Sequence, residues 1–475
     1  MATRLTTIFN KQGLSSDRQY GFRPGRSTVD AIIKFREKVA ELSDKKYVLA
    51  IALDISGAFD NVWWPNVLHE LKRRECPNNL YHLTRSYFTD RSVQITGKTE
   101  TVSKSVSKGC PQGSVLGPSF WNLIFDDLLA ELTESAMDCE AIAYADDIVI
   151  LISGNARIEL QEKGQLVATR VSTRCNRKKL SLSAEKTEML LVKGKLDIKR
   201  PLIIRINNKS IKMTETIRYL GVYLERGLKI NRHIKETTGK CQKLFNSLAR
   251  VAKTKWGLDH AAMSTLYKGL FEPITTYAAA GWSDLLNGKT RSALMRAQRM
   301  ALLQVTKAYK TTSTEALQVI AGVMPIDLLV EVRARAYRKK RSLDEETNQR
   351  TITREATPKG RTTYQYFGKV KDRLESRWIR PDHYMTQFIS GHGDFTNLPG
   401  PNASWQLCLH VAPAGNDVTG CSHPDAPAKR AAARKDRSNL SNEPKGEGRV
   451  FPSRAPNIYT RRSLGSGRLK VDIKN

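Results

Sequence analysis

The sequence predicts an α+β fold, in which a buried sheet with flanking helices precedes an all-helical region and a low-complexity tail. Two continuous apolar runs rich in β-branched residues, at 47–53 and 141–152, are typical of buried strands. Between Ile230 and about Arg341, apolar residues recur at spacings of three and four, which indicates helices. Beyond Phe395 the chain is rich in Pro, Ala, Gly, Ser and Arg, so we expect disorder there.

Charge and cysteine content limit the partners and the compartment. The 475 residues include 78 Lys and Arg against 47 Asp and Glu, a net charge of +31 that predicts a polyanionic partner, nucleic acid first. No apolar stretch approaches the roughly 18 residues of a membrane-spanning helix, so we expect no membrane partner. The seven Cys are odd in number and follow no disulfide framework, which indicates a reducing compartment.

The first apolar run, Tyr47 to Leu53, ends abruptly at Asp54. Such a run predicts a buried strand that delivers one carboxylate at its end. No residue close to Asp54 in the sequence offers it a cation, so a purely structural role explains this carboxylate poorly.

The second apolar run is interrupted by Asp146 and Asp147, which predicts a strand, a tight turn and a second strand. Adjacent carboxylates between buried strands repel each other and lose hydration, which favours the arrival of a divalent cation. For this pair alone, a surface hairpin whose acidic tip faces water is an equally good interpretation.

The three carboxylates together indicate which metal ion the site suits and which reaction it supports. If the two runs are neighbours in one sheet, Asp54, Asp146 and Asp147 point at one spot. Carboxylates without nearby His or Cys suit Mg²⁺, with Mn²⁺ as an alternative. Two such ions about 3.5–4 Å apart can clamp the attacking and leaving oxygens of a phosphoryl transfer. With the basic helices, this indicates nucleotidyl transfer on a nucleic-acid end.

Three further stretches have local patterns of weaker meaning. The Gly- and Pro-bearing loop 109–118 leads into an apolar helix and can bring backbone close to a ligand, although a rigid entry to the helix is favoured on this pattern alone. The loop 20–28 holds Arg23 and Arg26, which can contact phosphate, although an ordinary turn is favoured there. The run Ile217 to Leu224 predicts one short strand that bends at Gly221.

Taken in order, these motifs resemble those of reverse transcriptases, and the resemblance is strongest to non-LTR (LINE-type) retrotransposons of arthropods. The stretches that carry it are 20–28, 52–60, 109–114, 144–147 and 219–221, together with parts of the helical region. The resemblance covers roughly residues 10–395. Each motif alone is weak, whereas their joint occurrence in this order is specific.

The resemblance implies a right-hand polymerase fold. Its palm would be an antiparallel sheet with helices, accompanied by partial fingers, and an all-α thumb would follow. The implied boundaries are 1–225 for fingers and palm, 226–343 for the thumb, 344–395 for a linker and post-thumb region, and 396–475 for the disordered tail.

The resemblance also assigns roles to individual residues. Asp54, Asp146 and Asp147 would be the catalytic carboxylates that bind two Mg²⁺, with the carbonyl of Ile55 as a further ligand. Phe59 would lie under the incoming sugar as the gate that rejects a 2′-hydroxyl.

The remaining implied roles concern the nucleotide and the primer. Gln112 and Gly113 would line the nucleotide pocket, and Lys186 would protonate the leaving pyrophosphate. A primer grip would be formed by Tyr219, Leu220 and Gly221.

The implied activity is RNA-directed DNA synthesis. Its partners would be an RNA template, a DNA primer or target DNA, and dNTPs, in a ribonucleoprotein of the cytoplasm and nucleus. Because family proteins carry more chain before Gln19, we expect an N-terminally truncated copy. A catalytically inactive nucleic-acid-binding remnant is the main alternative. A metal-dependent nuclease ranks last, because Gly113 and the 219–221 motif have no obvious place in one.

Overall fold

The computed structural model describes residues 1–11, 16–97, 100–111, 113–134, 139–195, 201–249, 258–339, 386 and 471–474. One compact unit comprises Met1–Gly393 with Lys470–Asn475. The second unit, Asp394–Leu469, lies outside the described residues. The predicted linker and tail therefore fall almost entirely outside the described part of the chain.

Helices and strands alternate through the first half of the chain, and helices dominate after it. The described helices are α1 (Ala2–Lys11), α2 (Thr28–Glu41), α3 (Trp64–Arg73), α4 (Asn78–Phe88), α5 (Gly117–Glu134), α6 (Arg157–Arg177), α7 (Asn231–Ala249), α8 (His260–Leu266), α9 (Glu272–Thr276), α10 (Gly288–Thr306), α11 (Thr314–Ala321) and α12 (Ile326–Lys339). A π-helical turn, Tyr267–Phe271, joins α8 to α9. Short 3₁₀ helices span Arg226–Leu228, Ala279–Gly281 and Ser283–Leu285.

The strands are short except in the central sheet. They are β1 (Tyr47–Leu53), β2 (Ile55–Ser56), β3 (Ser92–Thr96), β4 (Thr101–Ser105), β5 (Cys139–Tyr144), β6 (Asp147–Gly154), β7 (Ser181–Leu182), β8 (Glu188–Lys193), β9 (Arg205–Ile206), β10 (Lys209–Ser210), β11 (Lys212–Thr214), β12 (Thr216–Tyr219), β13 (Val222–Glu225) and β14 (Val471–Lys474). The last of these falls in the segment predicted to be disordered, and it pairs antiparallel with β3.

The central sheet has five strands in the order β11-β8-β1-β6-β5. As predicted, β1, β5, β6 and β8 pair antiparallel. The prediction of an antiparallel sheet is wrong at one edge, where β11 runs parallel to β8. The reason is the connection through β9 and β10, which returns the chain to the end where β8 begins.

The two faces of the sheet bury two different cores. Along β1, Leu49, Ile51 and Leu53 pack into a core with α3, α5 and α6, because alternate side chains of a strand point to one face. Val48 and Ala50 point to the other face. A strand buried on both faces reads as a continuous apolar run, which is why its bounds could be read from the sequence.

The second core joins the sheet to the helical region. It contains Phe35 of α2 and Val149 of β6 together with Phe245, Tyr267 and Trp282 from the segment predicted as a thumb. All five side chains are fully buried or nearly so. The helical region therefore packs directly on the back of the sheet.

The stretch 217–224 differs from its prediction. It forms an antiparallel hairpin of β12 and β13 rather than one bent strand, with Tyr219 paired to Val222. The two turn residues, Leu220 and Gly221, both have positive φ, 46° and 83°. This is the backbone that tight hairpins with right-handed twist require.

Among the described residues, no helix combines the length and the apolar character that crossing a bilayer would need.

Candidate active site

Strand pairing brings the predicted carboxylates together. Leu53, the last residue of β1, pairs with Ile148 of β6. Beyond this pair, Asp54 follows the end of β1 and Asp147 begins β6, so the two lie opposite each other at the same end of the strands. Asp146 precedes Asp147 in the turn between β5 and β6. The strand register therefore brings the three residues to the same end of the sheet, which we call the acidic edge.

The acidic turn has a strained backbone. Tyr144 pairs with Asp147, which leaves a two-residue turn of Ala145 and Asp146. Ala145 has a φ of 57°, in the left-handed region that glycine normally occupies. For a residue with a Cβ this conformation costs about 1–2 kcal/mol. Such strain persists where surrounding contacts impose it, and it is concentrated at functional sites.

The negative charges of neighbouring carboxylates act on Asp147. Burial, followed by the negative charges of Asp146 and Asp54, raises the pKa of Asp147, although much of its side-chain area is exposed. The guanidinium of Arg218 acts in the opposite direction on the same pKa. The site is thus an anionic cluster, and Arg218 of the β12–β13 hairpin is among the cations that act on it.

Asp54 is held by a turn that also carries Lys186. The Asp54 carbonyl accepts from Ser183 N (3.0 Å), and its amide donates to Thr187 Oγ1 (3.3 Å). Lys186 Nζ lies 3.9 Å from Asp54 Oδ2, so this lysine is close to the carboxylates, and its role in protonating pyrophosphate stays a prediction. That Oδ2 atom is buried and has no hydrogen-bond partner among the described residues.

Carboxylate oxygens are suitable ligands for a hard divalent cation, but the three carboxylates do not converge on one point. Asp54 Oδ2, which makes no hydrogen bond with the described residues, lies beside two further carboxylates, and such oxygen donors are the ligands that Mg²⁺ or Mn²⁺ takes. Across the described ranges, no three His, Cys, Asp or Glu side chains converge closely enough to hold a metal ion. To bind one ion jointly, the side chains of Asp54, Asp146 and Asp147 would have to move closer to one another.

Phe59 lies beside the acidic edge in an aromatic cluster. Its half-buried ring packs edge-on against Phe22 (5.8 Å between centroids) and at a tilt of 34° against Trp121 (5.7 Å). Its carbonyl accepts from Cys110 N (2.9 Å). These contacts fix the Phe59 turn to the start of the loop predicted to line a nucleotide pocket.

Two residues of that pocket prediction have different outcomes. Gln112 lies outside the described residues. Gly113 is exposed and has a φ of 83°, and no atom of the described residues lies within 4 Å of the position where a Cβ would be. Gly113 thus offers open backbone, and its role stays a prediction.

The predicted primer grip is only partly open to a ligand. Tyr219 is 3% exposed and its ring centroid lies 6.2 Å from that of Phe35, so the ring presents no open surface to a ligand. Burial, then the charge of Asp147, raises the Tyr219 pKa. The turn Leu220–Gly221 remains at the surface, where Tyr277 Oη donates to the Leu220 carbonyl (3.0 Å). A grip could therefore use the turn but not the tyrosine ring.

The two arginines of the loop 20–28 bind their own chain. Arg23 Nη1 donates to the Ser16 carbonyl (2.6 Å), and Arg26 Nη2 donates to Asp17 Oδ1 (2.7 Å). The ordinary-turn interpretation therefore describes this loop better than phosphate binding does.

Three residues near the site were not predicted from the sequence. The charge of Arg218 lowers the pKa of Asp147, Phe22 packs on Phe59 with a φ of 57°, and Gln19 hydrogen-bonds the acidic turn. Gln19 and its partner Ala145 are 126 residues apart. Neither periodicity nor local composition signals a contact of that kind.

Sequence comparison adds the family. A family model described as reverse transcriptase (RNA-dependent DNA polymerase) matches residues 1–224. The Pol polyprotein of type-1 retrotransposable element R1 4 from Nasonia vitripennis is 32% identical over 291 residues, which are 53% of this chain and 74% of the relative. The chain belongs to the reverse transcriptases of type-1 retrotransposable elements. This membership confirms the predicted fold class of palm, fingers and helical thumb.

One further sequence relative and one solved structure were compared, and they differ in how much of each chain is matched and in how similar they are. The R1 Pol polyprotein of Bradysia coprophila is 33% identical to this reverse transcriptase over 411 residues, 80% of the chain but 40% of the relative. The chain thus spans two fifths of that relative's length. A telomerase from Candida albicans, solved with a TWJ fragment of telomeric RNA, gives a TM-score of 0.38 at 9% identity. That match covers 67% of this chain and 58% of the telomerase, and so distant a likeness says nothing about ligands.

Proposed function

We propose that this chain is an RNA-directed DNA polymerase, which transfers a nucleotide from a dNTP to the 3′ end of a DNA primer on an RNA template. The observation that carries the proposal is the strand register that places Asp54 and Asp147 side by side, with Asp146 next to them. Family membership supports the same reaction.

Two Mg²⁺ ions would be held by Asp54, Asp146 and Asp147, with the Ile55 carbonyl as a further ligand. When bound, the ions would activate the primer hydroxyl and stabilise charge on the leaving pyrophosphate. The chain itself keeps the carboxylates at a strand edge and leaves one Asp54 oxygen without a competing hydrogen bond.

The nucleotide would occupy the space between Phe59 and the acidic edge. Phe59, braced by two aromatic rings, would contact the sugar and exclude a 2′-hydroxyl. Gln112 and Gly113 would line the same pocket. Lys186 is 71% exposed and close to Asp54, so its ammonium can reach a pyrophosphate oxygen and give up a proton there.

Primer and template would lie between the acidic edge and α7. The Leu220–Gly221 turn is the part of the proposed grip that faces outward. On α7, Lys235 and Lys243 are exposed, one turn before and one turn after Gly239. No atom of the described residues lies within 4 Å of the position that a Cβ on Gly239 would take. A helical glycine between lysines allows a phosphate backbone to approach closely. A nucleic-acid complex of this kind would be a ribonucleoprotein of cytoplasm and nucleus.

Primer extension on an RNA template tests the proposal. Wild-type protein should extend a DNA primer with dNTPs when Mg²⁺ is present and not when it is removed. Asp146→Asn should lower the rate at least about a thousandfold, because an amide cannot replace a charged metal ligand. Asp44→Asn is the matched control, since Asp44 is an exposed carboxylate paired with Lys45. Equal rates for wild type and Asp146→Asn would refute the assignment of Asp146.

The alternative is a nucleic-acid-binding remnant without turnover. It is favoured by the absence, within the described ranges, of three side chains already gathered around a metal position. Salt-sensitive RNA binding without any Mg²⁺-dependent synthesis would decide for this alternative.

A further inference from the structure

A short segment near the N-terminus crosses behind the acidic turn. We call residues Arg18–Phe22 the strap. Within it, Gln19 forms an isolated parallel bridge with Ala143 of β5. The Tyr20 amide donates to the Ala143 carbonyl (2.7 Å), and the Ala143 amide donates to the Arg18 carbonyl (2.8 Å). The strap is thereby fastened to the strand that enters the turn.

The side chain of Gln19 continues this attachment into the turn. Its Oε1 accepts from the amides of Ala145 and Gly21, both at 2.9 Å, and its Nε2 donates to the Ala145 carbonyl (3.3 Å). Two N–H groups pointing at one atom require that atom to be the amide oxygen, so the orientation is determined. Gln19 is 3% exposed, which keeps water from replacing these bonds.

The strap also contacts the turn through backbone alone. A Cβ on Gly21 would lie 2.2 Å from the Ala145 nitrogen, so only glycine permits this approach. From the other side, Asn122 of α5 donates to the Gly21 carbonyl (3.2 Å). The strap is therefore held between α5 and the acidic turn.

We propose that Gln19 is a positioning residue for catalysis. Its amide holds both polar groups of Ala145 and so imposes the left-handed conformation that directs Asp146 and Asp147 towards Asp54. This inference rests on the proposed polymerase function. Without the amide, Ala145 can relax to an ordinary φ, and the acidic pair loses its fixed direction.

The test compares Gln19→Met with Gln165→Met in the full chain. Gln165 is a matched control, because its amide accepts from Arg205 N (2.9 Å) and donates to the Arg205 carbonyl (3.0 Å), away from the acidic turn. Single-turnover primer extension, normalised to active sites, should show a rate constant roughly a hundredfold lower for Gln19→Met, as expected for a misplaced reactive group. The dissociation constant for primer–template should stay within about twofold of the control.

A second readout does not depend on activity. Hydrogen exchange of the Ala145 amide should be faster in Gln19→Met than in Gln165→Met or wild type, because its acceptor is gone. If the wild type makes no DNA but exchange accelerates as stated, the polymerase proposal fails and the positioning of the turn stands.

Unchanged exchange at Ala145, or a rate constant equal to that of Gln165→Met, would overturn the proposal. Should Gln19→Met fail to fold, Gln19→Asn serves instead, since its shorter amide stays polar but cannot span to Ala145. The same loss of rate and the same faster exchange are expected for it, and normal values for both would again contradict the role of Gln19.

Discussion

Asp147 begins β6 beside two other carboxylates, and its pKa is raised by burial and by the charges of Asp146 and Asp54. Folding therefore disfavours its charged form, and the penalty is fully present above the folded-state pKa. The penalty disappears as the pH falls through that value towards about 4, the pKa of an unfolded aspartate. Asp147→Asn should accordingly raise the thermal unfolding midpoint at neutral pH without metal, and this gain should vanish near pH 4.

Asp44→Asn should show no such gain, because Asp44 has an exposed carboxylate next to Lys45. Added Mg²⁺ should stabilise wild type more than Asp147→Asn, since a bound ion favours the charged form. A neutral-pH midpoint that is unchanged or lowered in Asp147→Asn would show that the cluster is not under repulsion.

Phe59 is the second residue whose substitution has a defined outcome. Phe59→Ala removes the ring that would meet a 2′-hydroxyl, so ribonucleotides should enter. The ratio of kcat/KM for a ribonucleotide over its deoxynucleotide should rise on the order of a hundredfold. Continued dNTP incorporation is the control for folding, because Phe59 also packs on Trp121. Unchanged sugar selection would remove the gate role.

Whether the role of a single residue could be predicted depends on how far away in sequence its partners lie. Asp54, Asp146 and Lys186 could be named from the sequence, because each stands at the end of an apolar run or in a recognisable motif. Gln19 and Arg218 could not, since their roles depend on partners that only the folded sheet brings near. The burial of the Tyr219 ring could not be predicted either, because it packs against Phe35 of α2, which is far away in sequence.

At the scale of elements, the loop between β4 and α5 is shaped by glycines in two different ways. Gly109 and Gly113 both have positive φ, 91° and 83°. A Cβ on Gly109 would lie 2.8 Å from the Asp60 carbonyl oxygen, whereas one on Gly113 would meet nothing within 4 Å. Of these two glycines, Gly109 alone combines a positive φ with close packing.

Substituting each glycine by alanine separates the two effects. Gly113→Ala should lower the free energy of unfolding by about 1 kcal/mol, the cost of a left-handed residue with a Cβ. Gly109→Ala should cost about 2–4 kcal/mol, because overpacking is added to strain. Urea unfolding at equal m-values gives the comparison. Equal losses for the two variants would contradict the close approach of Gly109 to Asp60.

Elements were predictable where burial alone decides their form. The bounds of β1 follow from its apolar run, and the β5–β6 hairpin follows from the acidic interruption. The β12–β13 hairpin was missed because Leu220–Gly221 lacks the Asn or Asp that usually marks such a turn. The parallel partner of β8 depends on how the chain returns through β9 and β10, which no local pattern records.

At the scale of the whole molecule, the second core joins the sheet, α2 and the thumb. Two buried thiols report on the two cores: Cys175 of α6 lies in the first and Cys241 of α7 in the second. Burial raises the pKa of each thiol to about 12, so neither reacts while folded. Because the cores share one sheet, we expect both thiols to become reactive in one transition.

Pulsed alkylation across a urea series, read by mass spectrometry for each cysteine, measures this directly. The two midpoints should agree within error, and both should fall together in Trp282→Ala, which opens the second core. Earlier exposure of Cys241 than of Cys175 would instead show a thumb that unfolds independently of the sheet.

Iron-directed cleavage tests most directly whether the three carboxylates share a divalent cation. Fe²⁺ can occupy a Mg²⁺ site of oxygen ligands, and with ascorbate and peroxide it cuts the backbone nearest to it. We predict cuts close to Asp54 and close to Asp146–Asp147 in the same protein. Mg²⁺ should suppress both cuts, Asp54→Asn should weaken both, and Asp44→Asn should change neither. Cleavage at one of the two places alone, or at neither, would contradict a shared metal site.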